Sequence, residues 1–586
     1  MSTRRNDSTQ QVERTGAQCV IDGLEKAGCE KLFGYPGGAV LDIFNALVLS
    51  PIHFVLSRHE QGATHMADGY ARVTGKVGCC LVTSGPGATN AVTGLATANM
   101  DGIPMVCISG QVPLSMIGND AFQEADTVGI TRPVTKHNYL VRSVHDLPRI
   151  IAEAFYIAGT GKPGPVLIDI PKDVQRASTT VQTPDKVEIR GYNPIIKLDE
   201  KSINRLAEEI NKAERPVLYV GGGAITGEAA EALLKLAHKA QIPVTTTLMG
   251  LGAFPEKDPL AMKMLGMHGT VAANMAVSHC DLLISVGARF DDRVTGNVAK
   301  FAPNAVIAHI DIDRAALGKN VKTHIAVHGQ AREALEALLP LVKPAQRQAW
   351  LDTVNTWKRD FPLSFEQGKN VILPQYVIEQ VYKVSKGNAI IATDVGQHQM
   401  WATHFFDYSR PRTFVTSGGL GTMGFGLPAT IGAQFGRPND LVVGIIGDGG
   451  IQMNFQELVV AVEHKLPIKV VILNNQRLGM VRQWQELFYN KRYSAVVLSQ
   501  DERPANERLK EAEAECRYLP DFVKLAEAHG ALAKRISDPA EVTPALEKAF
   551  SDANPWLLEF DVDPDANVLP MVPPGASLTE MVKKLA

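Results

Sequence analysis

Two short, mostly apolar runs in the last third of the chain, Leu441 to Ile446 and Ile468 to Leu473, read as strands buried on both faces. Between them, Phe455 to His464 carries the spacing of an amphipathic helix. Strand, turn, helix and strand of this length make a βαβ unit, whose two strands run parallel. The same rhythm recurs along the chain. Thr15 to Gly28 is helical in spacing, and Lys31 to Gly34, Phe54 to Leu56, Gly78 to Val82, Met105 to Ser109 and Val166 to Ile170 are strand-like. Ala63 to Thr74 reads as a helix of small residues, the kind that packs closely on a neighbour. Further strands are expected at Pro216 to Val220, Pro243 to Thr247, Leu282 to Val286, Val306 to Ile310 and Ala389 to Thr393. Strands alternating with helical stretches predict an α/β fold built from doubly wound parallel sheets.

Two stretches break the rhythm. Thr179 to Glu200 is mixed and polar, and Pro340 to Pro374 is charged and contains tryptophan; both read as linkers. They divide the chain into three α/β domains, over residues 12–185, 198–340 and 375–586, with 341–374 as a linker and 1–11 as a polar tail. A length of 586 residues fits about three or four domains.

Composition narrows the class. The chain is 45% apolar with a formal charge of −3, which offers no basic surface for nucleic acid or a membrane. Nothing approaches the run of about 18 apolar residues that a membrane span needs. Seven cysteines, two of them adjacent at Cys79-Cys80, form no ligand or disulfide framework and are expected to be reduced and mostly buried. Met1 to Gln11 lacks the apolar stretch of a signal peptide. A cytoplasmic metabolic enzyme is the expectation.

The densest candidate chemistry lies at the tips of the first two strands named. Gly447-Asp448-Gly449-Gly450 follows one and Asn474-Asn475 ends the other, so Asp448 and Asn475 should meet beyond the carboxyl edge of the sheet. One carboxylate with amide and backbone oxygens suits Mg²⁺, which completes its shell with phosphate and water. Glycines let backbone N–H groups approach a diphosphate. Gly-Asp-Gly alone fits a simple turn equally well; the asparagine pair favours a metal–diphosphate site. This spacing resembles the signature of thiamin diphosphate (ThDP) enzymes.

Glu60 also ends a strand, within Arg58-His59-Glu60-Gln61-Gly62-Ala63; alone it reads as a solvated carboxylate. With Tyr35-Pro36-Gly37-Gly38 before it and Ser84-Gly85-Pro86-Gly87 after it, the segment resembles the pyrimidine-binding domain of ThDP enzymes. There a glutamate shares a proton with the cofactor's ring nitrogen, which a raised pKa would assist. Gln123, in Phe122-Gln123-Glu124, and Lys172, in Pro171-Lys172-Asp173 after the strand Val166 to Ile170, could be surface residues or lie near the same cleft. In the middle of the chain, Gly221-Gly222-Gly223 alone fits any tight βα turn, but with Gly266-Met267-His268-Gly269, Gly287-Ala288-Arg289-Phe290-Asp291-Asp292 and the strand-end Asp311 it forms the pattern of a nucleotide site. Thr416 to Gly426 is the richest glycine run; flanking strands and a helix from Leu427 argue against a flexible linker.

Over roughly residues 12–583 the chain resembles the catalytic subunits of the acetohydroxyacid (acetolactate) synthase family. Gly34 to Ala39, Arg289 to Gly296, Leu478 to Trp484 and Pro570 to Ala576 carry the resemblance. It implies pyrimidine-binding, FAD-binding and diphosphate-binding domains in that order. It also implies decarboxylation of pyruvate and ligation of the hydroxyethyl unit to a second pyruvate or to 2-oxobutyrate, the first common step of branched-chain amino-acid synthesis. By resemblance Glu60, Gln123 and Lys172 are catalytic, with Glu60 activating the pyrimidine. Gly396, Gln397, His398, Gly449 and Gly450 line the diphosphate, the Gly421 carbonyl holds the amino group and Met423 wedges the cofactor into a bent shape. Asp448, Asn475 and the Arg477 carbonyl bind Mg²⁺. Lys162, Gly221, Gly222, His268, Arg289 and Asp311 contact FAD, which is largely structural because the reaction has no net redox change. Gly38, Met480, Arg293 and Trp484 face cofactor and substrate, Arg293 meeting the acceptor carboxylate and Trp484 favouring 2-oxobutyrate. The resemblance further implies a homodimer or homotetramer with active sites shared between subunits, and a separate regulatory small subunit.

Four features depart from the family pattern. Lys162 stands where arginine is frequent, replacing a fork of donors by a point charge. His328 precedes Gly329 where aspartate is usual, and Gly450-Ile451 replaces Ser-Phe. Gln500 to Cys516 is a charged insertion that reads as a solvated helix. The nearest rival is a ThDP- and FAD-dependent pyruvate oxidase. Glyoxylate carboligases lack the glutamate at the position of Glu60, FAD-independent acetolactate synthases lack the Arg289 to Arg293 run, and a non-catalytic scaffold would not need Glu60, Gln123, Asp448 and Asn475 together.

Overall fold

The computed structural model describes residues 12–498 and 519–583. The tail 1–11 and the insertion Gln500 to Cys516 lie outside them. Contacts divide the chain into two compact units, residues up to 193 without 72–75, and those four with the rest.

The first unit holds one six-stranded parallel sheet. Its strands are β1 (Lys31–Gly34), β2 (His53–Leu56), β3 (Gly78–Val82), β4 (Met105–Gln111), β5 (His137–Leu140) and β6 (Pro165–Pro171), in the order β2-β1-β3-β4-β6-β5. The central strands β3, β4 and β6 are buried along their whole length, which is why they read as unbroken apolar runs. Helix Gly16–Lys26 starts at a reciprocal cap, Thr15 Oγ1 accepting from Gln18 N and Gln18 Oε1 accepting from Thr15 N. The small-residue helix runs over Glu60–Thr74, so Glu60 opens its first turn, where a carboxylate suits the positive end of the helix dipole. Glycine at 94 brings helix Pro86–Asp101 against it, because a Cβ there would overlap Thr64 Oγ1.

The second unit contains two more six-stranded parallel sheets. One comprises β7 (Pro216–Val220), β8 (Val244–Thr246), β9 (Ala261–Met264), β10 (Leu282–Val286), β11 (Val306–Asp311) and β12 (Ile325–His328), ordered β9-β8-β7-β10-β11-β12. The other comprises β13 (Ile390–Thr393), β14 (Phe414–Val415), β15 (Val442–Gly447), β16 (Lys469–Asn474), β17 (Leu532–Ile536) and β18 (Trp556–Asp561), ordered β14-β13-β15-β16-β18-β17. The strand order reverses inside each sheet between β1 and β3, β7 and β10, and β13 and β15; in the first and third sheets it also turns back at the edge, where β5 and β17 lie outside β6 and β18. These switch points open the crevices where such sheets take ligands.

One expectation of irregularity is corrected. Within 341–374, residues Gln348–Asp360 form a helix with Trp350 and Val354 buried, and Trp350 Nε1 donates to the Pro216 carbonyl at 3.1 Å. Two apolar residues at i and i+4 among charged ones give a stripe too narrow to register in the pattern. Six described cysteines are free and buried. No helix among the described residues is long and apolar enough to cross a membrane.

Candidate active site

The β13/β15 switch point gathers most of the diphosphate-site candidates. Gly396, Gln397 and His398 follow β13, and Asp448, Gly449 and Gly450 follow β15. They line one crevice with Met423, Asn475, Arg477 and Met480. Gly421, with φ +72°, lies in the glycine run leading to Met423 and is outside the lining.

Asp448 is 2% exposed; its Oδ1 accepts from Gly449 N at 2.9 Å, while Oδ2 is buried without a partner. Loss of hydration pushes its pKa up to about 7, against the pull of neighbouring backbone N–H groups. An unsatisfied buried carboxylate oxygen is costly unless a cation completes it, so Asp448 fits a metal ligand. Asn475 Oδ1 accepts from Arg477 N at 3.1 Å, closing the turn that carries Arg477. The Arg477 guanidinium is held by Asp565 Oδ1 at 2.5 Å and the Pro564 carbonyl at 3.1 Å. Among the described residues no group of three or more His, Cys, Asp or Glu could hold a metal, so the candidate donor set is one carboxylate with amide and carbonyl oxygens.

The cradle beside Asp448 needs glycine. A Cβ at Gly447 would sit 2.9 Å from His398 Nδ1, and one at Gly396 would sit 3.0 Å from His398 Cε1. His398 is buried, its Nε2 has no partner, and loss of hydration lowers its pKa to about 4. A neutral imidazole in a glycine pocket can donate to a phosphate oxygen. Asp394, which had no role in the sequence reading, accepts from Val395 N, Gly424 N and Gly426 N and thereby shapes the glycine run around Met423. A Cβ at Gly449 would touch the Met423 methyl at 3.6 Å, so Met423 overhangs that glycine.

The β7/β10 switch point holds the second glycine cluster. Gly221 N donates to the Val286 carbonyl and Gly223 N to that of Gly287, at 2.9 and 3.0 Å. A Cβ at Gly223 would lie 2.7 Å from Gly287 Cα, so the two turns pack backbone on backbone. Gly222 belongs to the same turn, and Asp311 ends β11, two strands from β7 in the sheet. Arg289 NH2 pairs with Asp291 Oδ2 at 2.8 Å. His268 is buried and kept neutral, its pKa pushed down to about 3 by lost hydration and by His404 and Arg293 nearby. His328, the departure noted above, directs Nε2 to the Ile312 carbonyl at 3.1 Å. Lys162 belongs to the first unit, where its side chain passes Gly102. Arg293 and Trp484, predicted from distant motifs, meet: the guanidinium lies over the indole ring at 5.3 Å.

In the first unit, the β1/β3 switch point assembles a third cluster. Glu60 Oε2 accepts from Asn90 Nδ2 at 3.0 Å, and Oε1 lies 3.4 Å from where a Cβ at Gly87 would be. Asn90 was not singled out from sequence; only the close helix pairing at Gly94 brings it to Glu60. Lys172 Nζ donates to the Gly38 carbonyl at 3.0 Å, joining two predicted residues far apart in the chain. Gln123 has φ +59°, and its backbone crowds Gly85, whose Cβ would sit 2.7 Å from the Gln123 carbonyl oxygen.

Comparison with known proteins decides the family. Residues 14–130 match the thiamine pyrophosphate enzyme N-terminal TPP binding domain, 203–338 the central domain and 394–560 the C-terminal TPP binding domain. The acetolactate synthase large subunit of Haemophilus influenzae is 46% identical over 578 residues, covering 97% of this chain and 98% of that one. That of Corynebacterium glutamicum is 48% identical over 575 residues, covering 97% and 90%. The isozyme 3 large subunit of Escherichia coli is 45% identical over 580 residues, covering 97% and 98%. The chain belongs to the acetolactate synthase large-subunit family. Membership in the acetolactate synthases sets it apart from ThDP-dependent pyruvate oxidases and identifies ThDP (thiamine pyrophosphate) as its cofactor.

Proposed function

We propose that this chain joins two 2-oxoacids with loss of one carboxyl as CO₂. The first is pyruvate, and the acceptor is pyruvate, giving 2-acetolactate, or 2-oxobutyrate, giving 2-aceto-2-hydroxybutyrate. The observation that carries this is the pairing of Arg293 with Trp484, a carboxylate-binding charge against an apolar face, in a chain of this family. When bound, ThDP supplies the electron sink that lets CO₂ leave.

The chain's own residues would position and neutralise. Asp448, Asn475 and the Arg477 carbonyl would hold Mg²⁺; Gly396, Gln397, His398, Gly449 and Gly450 would receive the diphosphate. Gly421, Met423 and Met480 would shape the cofactor's seat. Glu60, fixed by Asn90, would hold the proton shared with the pyrimidine ring. Gln123, Lys172 and Gly38 would line the reacting end, with Arg293 taking the acceptor carboxylate and Trp484 its alkyl group. Lys162, Gly221, Gly222, His268, Arg289 and Asp311 would hold FAD in a structural role; the tight glycine turns at the β7/β10 switch point support this. The relatives are named large subunits, so we extend to this chain a separate small subunit; its regulatory role, a homodimeric or homotetrameric core with shared sites and a cytoplasmic location are further proposals, resting on the family resemblance and composition given above.

Anaerobic incubation of the purified protein with ThDP, Mg²⁺, FAD and pyruvate should yield acetolactate. Acetate as product, with dependence on oxygen or a quinone, would overturn the reading in favour of an oxidase.

A further inference from the structure

Two buried polar side chains of the first sheet have no part in the chemistry above. Asp169 on β6 is 1% exposed and stands opposite Ser109 on β4. Ser109 Oγ donates to Asp169 Oδ1 at 2.7 Å, and Gln111 Nε2 donates to Oδ2 at 2.9 Å. The same Gln111 nitrogen donates to the Ala125 carbonyl at 2.8 Å, and Gln111 Oε1 accepts from Val112 N at 2.9 Å. A primary amide has two N–H donors; here one is spent on the sheet and the other on the loop that follows Gln123.

That loop holds strain. Gln123 is left-handed at φ +59°, a conformation that costs a non-glycine residue roughly 1–2 kcal/mol. Such residues persist where their surroundings over-determine them, and they cluster at functional sites. The Glu124 carboxylate accepts from Gly118 N at 2.5 Å and Ala121 N at 2.8 Å, which closes the loop on itself. Self-closure sets the loop's shape and leaves its placement to other contacts. Gln111 ties it to the sheet two residues beyond Gln123.

We infer that Gln111, oriented by Asp169, is a positioning residue that holds the strained Gln123 at the reacting end of the site. Asp169 also lies two residues before Pro171 on the strand that delivers Lys172, so one buried carboxylate registers both arms of the cleft. Burial of this carboxyl pushes its pKa up to about 7, and such a costly group is retained where it orders its neighbours. The inference rests on the reading of Gln123 as a site residue.

Gln111→Met keeps the side chain's length and removes both donors. In the purified full-length protein, amide hydrogen exchange of residues 118–126 should quicken roughly 5–10-fold, the fold-change of one net hydrogen bond. The strand peptides of the same unit should keep their wild-type exchange, and kcat for pyruvate should fall. Ser109→Ala, which trims Asp169 without touching the loop, should leave loop exchange at the wild-type rate. Should Gln111→Met not fold, Gln111→Asn retains an amide too short to reach both acceptors and is read the same way. Unchanged loop exchange in a folded Gln111 variant would overturn the inference, as would acceleration spread evenly over the unit. Unimpaired turnover in Gln123→Ala would instead bring down the reading of Gln123.

Discussion

The Arg293 guanidinium lies 5.3 Å above the centre of the Trp484 ring, within the range of a cation–π contact. Arg293 follows β10 and Trp484 rides on helix Gly479–Phe488 after β16, so residues following two different sheets meet in the proposed acceptor pocket. Arg293 is further set by Met267, whose backbone N donates to the Arg293 carbonyl at 2.7 Å. 2-Oxobutyrate exceeds pyruvate by one methylene, which an apolar pocket discriminates by about 1–3 kcal/mol. Trp484→Ala should therefore lower the preference for 2-oxobutyrate by roughly tenfold or more while acetolactate still forms. The product ratio from mixed acceptors measures it. A wild-type ratio would remove Trp484 from the pocket.

Glu60→Gln should slow hydrogen–deuterium exchange at C2 of bound ThDP by about 10²–10⁴-fold, the usual worth of a positioned acid–base group. Mg²⁺ affinity should stay as in the wild type, since the candidate metal ligands belong to the other compact unit. Acid-quench NMR reads the exchange directly. Exchange at the wild-type rate would refute the role.

How much of this was legible beforehand follows from the physics of each element. Strands buried on both faces announce themselves as apolar runs, so most of the central strands and the residues at their tips, Asp448 and Asn475 among them, could be read from the chain, whereas outer strands such as His137–Leu140 and Leu532–Ile536 could not. The pairing of Asn90 with Glu60 could not, because it depends on two helices closing over Gly94. Arg293 and Trp484 were each chosen by motif, but their contact spans two sheets and has no local signal. The helix Gln348–Asp360 hid among charges because its buried stripe rests on so few residues. Asp394 carries no signal in the sequence; only the fold aims the Gly424 and Gly426 amides at it.

Gly85 supplies a sharper test of the Gln123 region. Its backbone sits at φ 58° and ψ −117°, and a Cβ would lie 2.7 Å from the Gln123 carbonyl oxygen and 2.9 Å from its Cα. Both obstacles are backbone, so neither can swing aside. Gly85→Ala should cost about 1–3 kcal/mol in strain and displace Gln123 as well. Gly118→Ala is the control, since Gly118 has φ +87° and no atom within 4 Å of a Cβ. Lower turnover in Gly85→Ala than in Gly118→Ala is the expected outcome. Equal turnover in the two variants would show that the contact with Gln123 is immaterial.

Glu256 predicts a pH dependence of stability. Its Oε2 accepts from Tyr408 N at 2.8 Å, while Oε1 is buried without a partner. Lost hydration pushes its pKa from 4.5 up to about 7, Lys263 opposing and Asp407 adding to the shift. Between those values the folded chain keeps a proton that the unfolded chain has released. The unfolded state then binds fewer protons, so stability falls as pH rises. The contribution is whole below about pH 4.5, declines through the window and is lost above about pH 7. It amounts to at most ~3 kcal/mol at 1.36 kcal/mol per pH unit. Glu256→Gln has no proton to release, and its amide still offers Tyr408 N an acceptor. Relative to wild type, the variant should gain stability as pH rises from about 4.5 to about 7, read as the difference in urea midpoints. Parallel pH profiles for the two proteins would mean that Glu256 is already ionised in the folded chain.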